Sequence, residues 1–233
     1  MLRATGATVT GPGHRFESAL NQDALRVRGE RGGWFAAVAD GLGSRALSHV
    51  GSRLAVRIAQ RTWDADGASS DARESIRQFY QSWLRALPAA APDAFATTLL
   101  AARCGSDGSC RVIQLGDGLV LYRAAGVFDV LSGARTGFGN ETDALGVTRS
   151  FSAWRTARIS LSEPGDGVML MTDGVADDLR PECLEAFFGC LLAQARGRSR
   201  RGGRRWLERQ LEAWPTALHR DDKSIALIFR DSR

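Results

Sequence analysis

"VADGLGS", Val38 to Ser44, follows directly on the apolar run Trp34-Phe35-Ala36-Ala37. A buried strand that ends in a carboxylate and two glycines has to be either turning back on itself or presenting the carboxylate to something. The same Asp-Gly pair follows an apolar run at Asp117-Gly118 and Asp173-Gly174. The simplest explanation is a type I′ hairpin turn. It suits Asp117, because "LVLYRA" resumes a strand at once. It fails for Asp40 and Asp173, whose continuations "LGSRALSH" and "VADDLRPE" read as helix starts. Those two carboxylates are expected at the C-terminal ends of strands, rigidly held and open to solvent.

Outward from this stretch, Ala24 to Arg28 and Trp34 to Ala39 are expected to pair as strands around Gly29 to Gly33. Ser48 to Arg61 and Asp71 to Leu87 carry apolar residues at helical spacing. Phe95 to Arg103, Cys110 to Leu115, Leu119 to Arg123 and Val127 to Leu131 read as an antiparallel meander. Arg155 to Leu161 and Gly167 to Thr172 read as a further strand pair. Helices from Pro181 to Ala195 and Trp206 to Trp214 precede a last strand, Ser224 to Phe229. Hairpin-joined strands with inserted helices predict an α+β fold, two packed antiparallel β-sheets flanked by α-helices. With 233 residues, 44% of them hydrophobic, the chain is expected to form one domain, residues 1–233.

Composition narrows the function classes. No apolar run reaches a membrane-span length, and a cytoplasmic monomer is the expectation. Cys104, Cys110, Cys183 and Cys190 show no zinc-ligand spacing and are expected to be reduced and mostly buried, although Cys104 and Cys110 could face each other across a hairpin. The net charge of +5 is concentrated between Arg196 and Arg205, where six arginines are interrupted by glycines. Without interleaved aromatics this segment is read as a solvated mobile loop and not as a nucleic-acid contact. Gly41, Gly43 and Ala46 spell a dinucleotide-type G-x-G-x-x-A, but Asp40 would set a negative charge beside a pyrophosphate and the βαβ context is missing. A hard-cation site is the better reading. Asp40 offers a carboxylate and Gly41 an accessible carbonyl, with Asp23, Asp173 and Asp222 as further candidates.

"NQDA", "VADGLGS", "FATTLLAA", "IQLGDGLVLYR", "LMTDGVADDL" and "DDKSIALI" occur in this order from about Gly11 to Phe229. Together they resemble the metal-dependent protein phosphatases of type 2C, the PPM family, and among them a bacterial single-domain subgroup. The resemblance implies an α-β-β-α sandwich with two Mg2+ or Mn2+ ions in a cleft. It implies hydrolysis of phosphoserine and phosphothreonine on a phosphorylated protein, the product of a cognate kinase. Asp40 would bridge both ions, Gly41 would offer its carbonyl, Asp23, Asp173 and Asp222 would complete the shells, and Asp117 would serve a third ion. Water between two such ions becomes hydroxide-like near neutral pH. The alternative is a catalytically silent phosphoprotein-binding module on the same fold.

Several positions depart from the family pattern. Gln22 stands where many relatives have Glu, and Leu42 where some have a histidine proposed as general acid. Arg15 lies eight residues before Asp23, further than the family's phosphate-binding arginine, and His14 is its neighbour. The loop Gly11 to Asn21 is therefore expected to supply the phosphate contact, with Arg15 primary and His14 assisting. His49 is expected to cap or line a helix and His219 to lie behind Asp222. Ser132 to Ser152 aligns with the segment that covers the cleft in relatives, with Arg135 and Phe138 as candidate substrate contacts.

Overall fold

A computed structural model of the chain describes residues 1–30, 33–65, 71–88, 91–132, 142–215 and 220–232. Arg135, Phe138 and His219 lie outside the described residues. Strands and helices are numbered in chain order. One antiparallel sheet runs β1 (Leu2–Val9), β10 (Lys223–Arg230), β9 (Gly167–Met171), β6 (Leu119–Ala124), β7 (Val127–Val130). The other runs β2 (Ala24–Glu30), β3 (Gly33–Ala39), β4 (Leu99–Cys104), β5 (Ser109–Leu115), β8 (Arg155–Ser160). The helices are α1 (Pro12–Phe16), α2 (Ser48–Ala65), α3 (Ala72–Ala86), α4 (Asp173–Ala176), α5 (Leu184–Arg196) and α6 (Arg200–Glu212).

Strand alternation builds the layers, because successive side chains point to opposite faces. On β3, Phe35, Ala37 and Ala39 pack with Ile58, Phe79 and Trp83 of α2 and α3, whereas Ala36 and Val38 pack with Leu170, Ala226 and Ile228 of the facing sheet. On β10, Ile225, Leu227 and Phe229 meet Phe188, Leu207 and Leu211 of α5 and α6. The result is the expected α-β-β-α sandwich. Two sheet faces are buried against each other and two against helices, which explains why β3, β9 and β10 are apolar almost throughout.

The pairing differs from the sequence reading in several places. The meander is split: β4 and β5 lie in one sheet, β6 and β7 in the other. Asp117-Gly118 is consequently no hairpin turn. Of its neighbourhood only Gly116 has a positive φ (103°), whereas a type I′ turn needs two consecutive positive φ values. Gly116 to Gly118 instead carries the chain from sheet to sheet. Gln114 Nε2 holds this link, donating to the carbonyls of Gly116 (3.2 Å) and Gly118 (2.8 Å). Likewise β8 pairs with β5 and β9 with β6 and β10, so they do not pair with each other. β1, unforeseen in the sequence, pairs along its whole length with β10.

Two local expectations also change. The arginine-rich segment is not a loop, since Ser199 caps α6 by accepting from Gly202 N–H and the helix begins at Arg200. Gly203 lies against Thr5 of β1, and the Arg200 guanidinium sits 5.3 Å from the Trp34 ring. An amphipathic helix face outweighs the glycines here. Cys104 and Cys110, opposed in the β4–β5 register, are joined as a disulfide and are not free thiols. Cys190 is exposed and Cys183 half-buried, against the expectation of burial. Pro181 opens a short 3-10 turn, Pro181–Cys183, before α5 starts at Leu184. Among the described residues no helix is long and apolar enough to cross a membrane.

Candidate metal centre

Register brings the carboxylates together. Ala24 pairs with Ala39, so Asp23 and Asp40 stand side by side just beyond the paired ends of β2 and β3. In the other sheet Ile225 pairs with Met171, and the Thr172 N–H continues the ladder to the Ser224 carbonyl (3.2 Å). This sets Asp173 beside the Asp221-Asp222-Lys223 segment. Gly174 makes that approach possible: a Cβ there would stand 1.9 Å from the Asp222 carbonyl oxygen. Gly41 serves the same purpose at the other edge, where a Cβ would stand 2.7 Å from the Ser48 backbone at the start of α2.

Each carboxylate has its own support. The Asp40 backbone is clamped by Thr97 and Thr98: its carbonyl accepts from Thr97 Oγ1 (2.8 Å) and Thr98 N–H (2.8 Å), and its N–H donates to Thr98 Oγ1 (2.9 Å). Asp23, 4% exposed, accepts from Thr172 Oγ1 at 2.8 Å through Oδ2. Asp222, buried, accepts from Gly11 N–H (2.7 Å) and Gln22 N–H (2.6 Å), and its Oδ2 lies 2.8 Å from His14 Nδ1. Asp117 accepts from Thr142 Oγ1 at 2.8 Å. Two buried oxygens, Asp23 Oδ1 and Asp173 Oδ1, have no hydrogen-bond partner among the described residues.

The electrostatics match this crowding. Burial, then Asp23, Asp173, Asp221 and Asp117, push the Asp40 carboxyl well above the ordinary carboxylate range. Burial, then Asp222 and Asp173, push Asp23 up to about 8, against the opposing influence of the Ser224 and Thr172 hydroxyls. Burial, then Asp117, Asp221 and Asp177, push Asp173 up to about 7. Groups that share a site repel when ionised, and their pKa values rise until a cation or a proton relieves the repulsion. Lys223, the chain's single lysine, is 1% exposed in the same neighbourhood, and its Nζ donates to the Asp221 carbonyl (2.9 Å). Burial lowers its pKa, and Asp178, Asp221, Asp222 and Asp23 oppose that shift.

The structure thus gathers Asp23, Asp40, Gly41, Asp117, Asp173 and Asp222 at one end of the two sheets. His14 joins them through Asp222, and ligand atoms of His14, Asp221 and Asp222 lie within 4.8 Å of one another. Arg15 is exposed and lines a cavity of about 160 Å³ with Leu211, Glu212, Trp214 and Lys223. His49 lies in the first turn of α2, where burial and Arg53 lower its pKa. Thr97, Thr98 and Thr172 escape a reading of the sequence alone. The "TT" of "FATTLL" and the threonine of "MTDG" are their only trace there. Asp221 is legible as the neighbour of Asp222, and Lys223 as the lone lysine in an arginine-rich chain.

Residues 10–212 match the model of the protein phosphatase 2C family. The chain belongs to that family. Asp222 lies beyond the matched span. No curated protein matches the sequence. Among solved structures, the chain is similar to a bacterial serine phosphatase, with a TM-score of 0.71 and 16% identity over all of both chains. It is similar to the catalytic domain of the serine threonine protein phosphatase PstP in complex with two manganese ions, with a TM-score of 0.66, 18% identity, and 98% and 97% of the two chains covered. It is also similar to the PPM Ser-Thr phosphatase MsPP of Mycobacterium smegmatis in complex with cacodylate, with a TM-score of 0.64, 21% identity and 97% of each chain covered. At these identities the likeness is one of fold, which is the two-sheet type 2C architecture.

Proposed function

We propose that this chain is a metal-dependent serine/threonine protein phosphatase that hydrolyses phosphoprotein monoesters. The observation that carries the reading is the pair of buried oxygens, Asp23 Oδ1 and Asp173 Oδ1, without a hydrogen-bond partner among the described residues, in a cluster where the Asp23, Asp40 and Asp173 carboxyls are each pushed up. An all-oxygen donor set under mutual repulsion fits Mg2+ or Mn2+. Asp40, Asp23, Asp173 and Asp222 would hold two ions together with the Gly41 carbonyl, and Asp117 would serve a third. Such ions supply Lewis acidity and lower the pKa of coordinated water.

The chain's own residues do the positioning. Thr97 and Thr98 fix the Asp40 backbone, and Thr172 orients Asp23. The two N–H donors and His14 fix Asp222. His14 Nδ1 is committed to Asp222, which leaves Nε2 as the ring atom able to give a proton to a departing alkoxide, the task that Leu42 cannot perform. Arg15, always charged and fork-shaped, is assigned to the substrate phosphate. The substrate is a phosphorylated protein supplied by a kinase acting on serine or threonine.

One feature favours the silent-module alternative: Asp222 already has three partners inside the chain. Phosphate release from a phosphothreonine peptide decides between the two. Release is expected with Mn2+ or Mg2+, and none with a chelator or in Asp40→Asn. Absence of turnover with either metal, at retained phosphopeptide binding, would establish the silent module.

A further inference from the structure

The segment from Gly11 to Gln22 joins β1 to β2 and closes on one carboxylate, because both end residues donate their N–H to Asp222. Between these anchors α1 ends, Ser18 takes a left-handed φ of 55°, and the Ala19 N–H returns to the His14 carbonyl at 2.8 Å. A six-to-one bond around a left-handed residue is the usual way to stop a helix, normally with glycine at that position. A serine there costs conformational energy, and the segment holds that shape all the same. On it stand two large apolar side chains in water, Phe16 at 81% exposure and Leu20 at 57%. The fold buries Phe35, Phe79, Phe95, Phe188 and Phe229 almost completely. Two exposed arginines accompany the pair: Arg15 next in sequence, and Arg220 with its guanidinium 5.8 Å from the Phe16 ring centroid.

We propose that Phe16 and Leu20, flanked by Arg15 and Arg220, form a docking edge for the stretch of phosphoprotein next to the phosphorylated residue, and that the edge selects stretches with an apolar side chain there. The inference rests on the phosphatase reading above. A phosphorylated residue carries close to two negative charges, which complement the two arginines. An apolar neighbour covers Phe16 and Leu20, and removing about 55 Å² of apolar surface from water corresponds to about a tenfold gain in affinity. Because the anchoring carboxylate belongs to the metal centre, a segment seated on this loop is carried to the site by the same short stretch of chain.

The test compares the unaltered protein with a Phe16→Ser/Leu20→Ser double variant, in manganese, on three substrates. These are p-nitrophenyl phosphate and two phosphothreonine peptides, one with leucine and one with serine beside the phosphothreonine. Both proteins are expected to turn over the aryl phosphate equally. The unaltered protein should prefer the leucine peptide by about tenfold in kcat/KM, and the variant should lose that preference. A leucine preference that survives in the variant, or an equal loss on all three substrates, overturns the docking edge. A dimer-to-monomer change on substitution, with peptide preference unchanged, would assign the pair to contact between copies and also overturn it. No manganese-dependent turnover of the aryl phosphate by the unaltered protein would instead overturn the phosphatase reading, and this proposal with it.

Discussion

Replacing Asp23 with asparagine is expected to stabilise the metal-free protein at neutral and alkaline pH while weakening its hold on divalent ions. In the folded chain burial lifts the Asp23 carboxyl from 3.8 to about 8. In the unfolded chain it ionises near its ordinary value. Between these values the native state keeps a proton that the unfolded state has released. Stability therefore falls as pH rises from about 4 to about 8, and the loss is complete above that window. At about 1.4 kcal/mol per pKa unit, the window caps the effect at about 6 kcal/mol. The introduced asparagine would keep the acceptor for Thr172 Oγ1 but leave a buried amide short of partners, at a cost of about 1–3 kcal/mol. A net gain of several kcal/mol at pH 9, shrinking to nothing or to a small loss near pH 4.5, is the expected outcome. Urea unfolding with chelator at pH 4.5, 7 and 9 measures it. Added Mn2+ should raise the stability of the unaltered protein most at high pH, and that of the variant far less. Parallel stability-versus-pH curves for the two proteins would refute the claim that Asp23 is held in a repelling, buried cluster.

Three further outcomes are expected. Asp40→Asn and Asp173→Asn should each abolish phosphopeptide turnover, lower Mn2+ binding in calorimetry, and leave the metal-free melting temperature unchanged or higher; rates like those of the unaltered protein would sink the metal-centre assignment. Gly174→Ala should cost about 1–3 kcal/mol in urea unfolding and weaken Mn2+ binding, because its Cβ would stand 1.9 Å from the Asp222 carbonyl and has to push the segment leading into β10 away from Asp173. His14→Ala should lower kcat on a phosphothreonine peptide more than on p-nitrophenyl phosphate, whose leaving group needs no proton, whereas Arg15→Ala should lower kcat/KM by the equivalent of about 1.5–3 kcal/mol; unchanged kinetics in both would leave the phosphate without contact from this loop.

The repeated Asp-Gly pairs after apolar runs, the helical spacing in α2 and α3 and the order of six short segments were enough to read the two-sheet sandwich and its acidic site from the sequence. Those signals are local: alternation and helical period are set by which face of an element meets water. Which strand pairs with which is not local, since hairpin and crossover look alike in a run such as "IQLGDGLVLYR". Only the tertiary structure showed that Asp117 lies on a crossing between sheets and that β8 and β9 part company. The arginine-rich start of α6 was hidden for the same reason. Its glycines argue against a helix until Thr5, Val27 and Trp34 supply the surface it packs on. At the site, the carboxylates were legible because strand ends carry them in recognisable motifs. Their threonine supports, the three-way hold on Asp222 and the burial of Lys223 were not. Each depends on register between strands far apart in the chain, and register is decided by the summed burial of both sheets, which no single stretch of sequence contains.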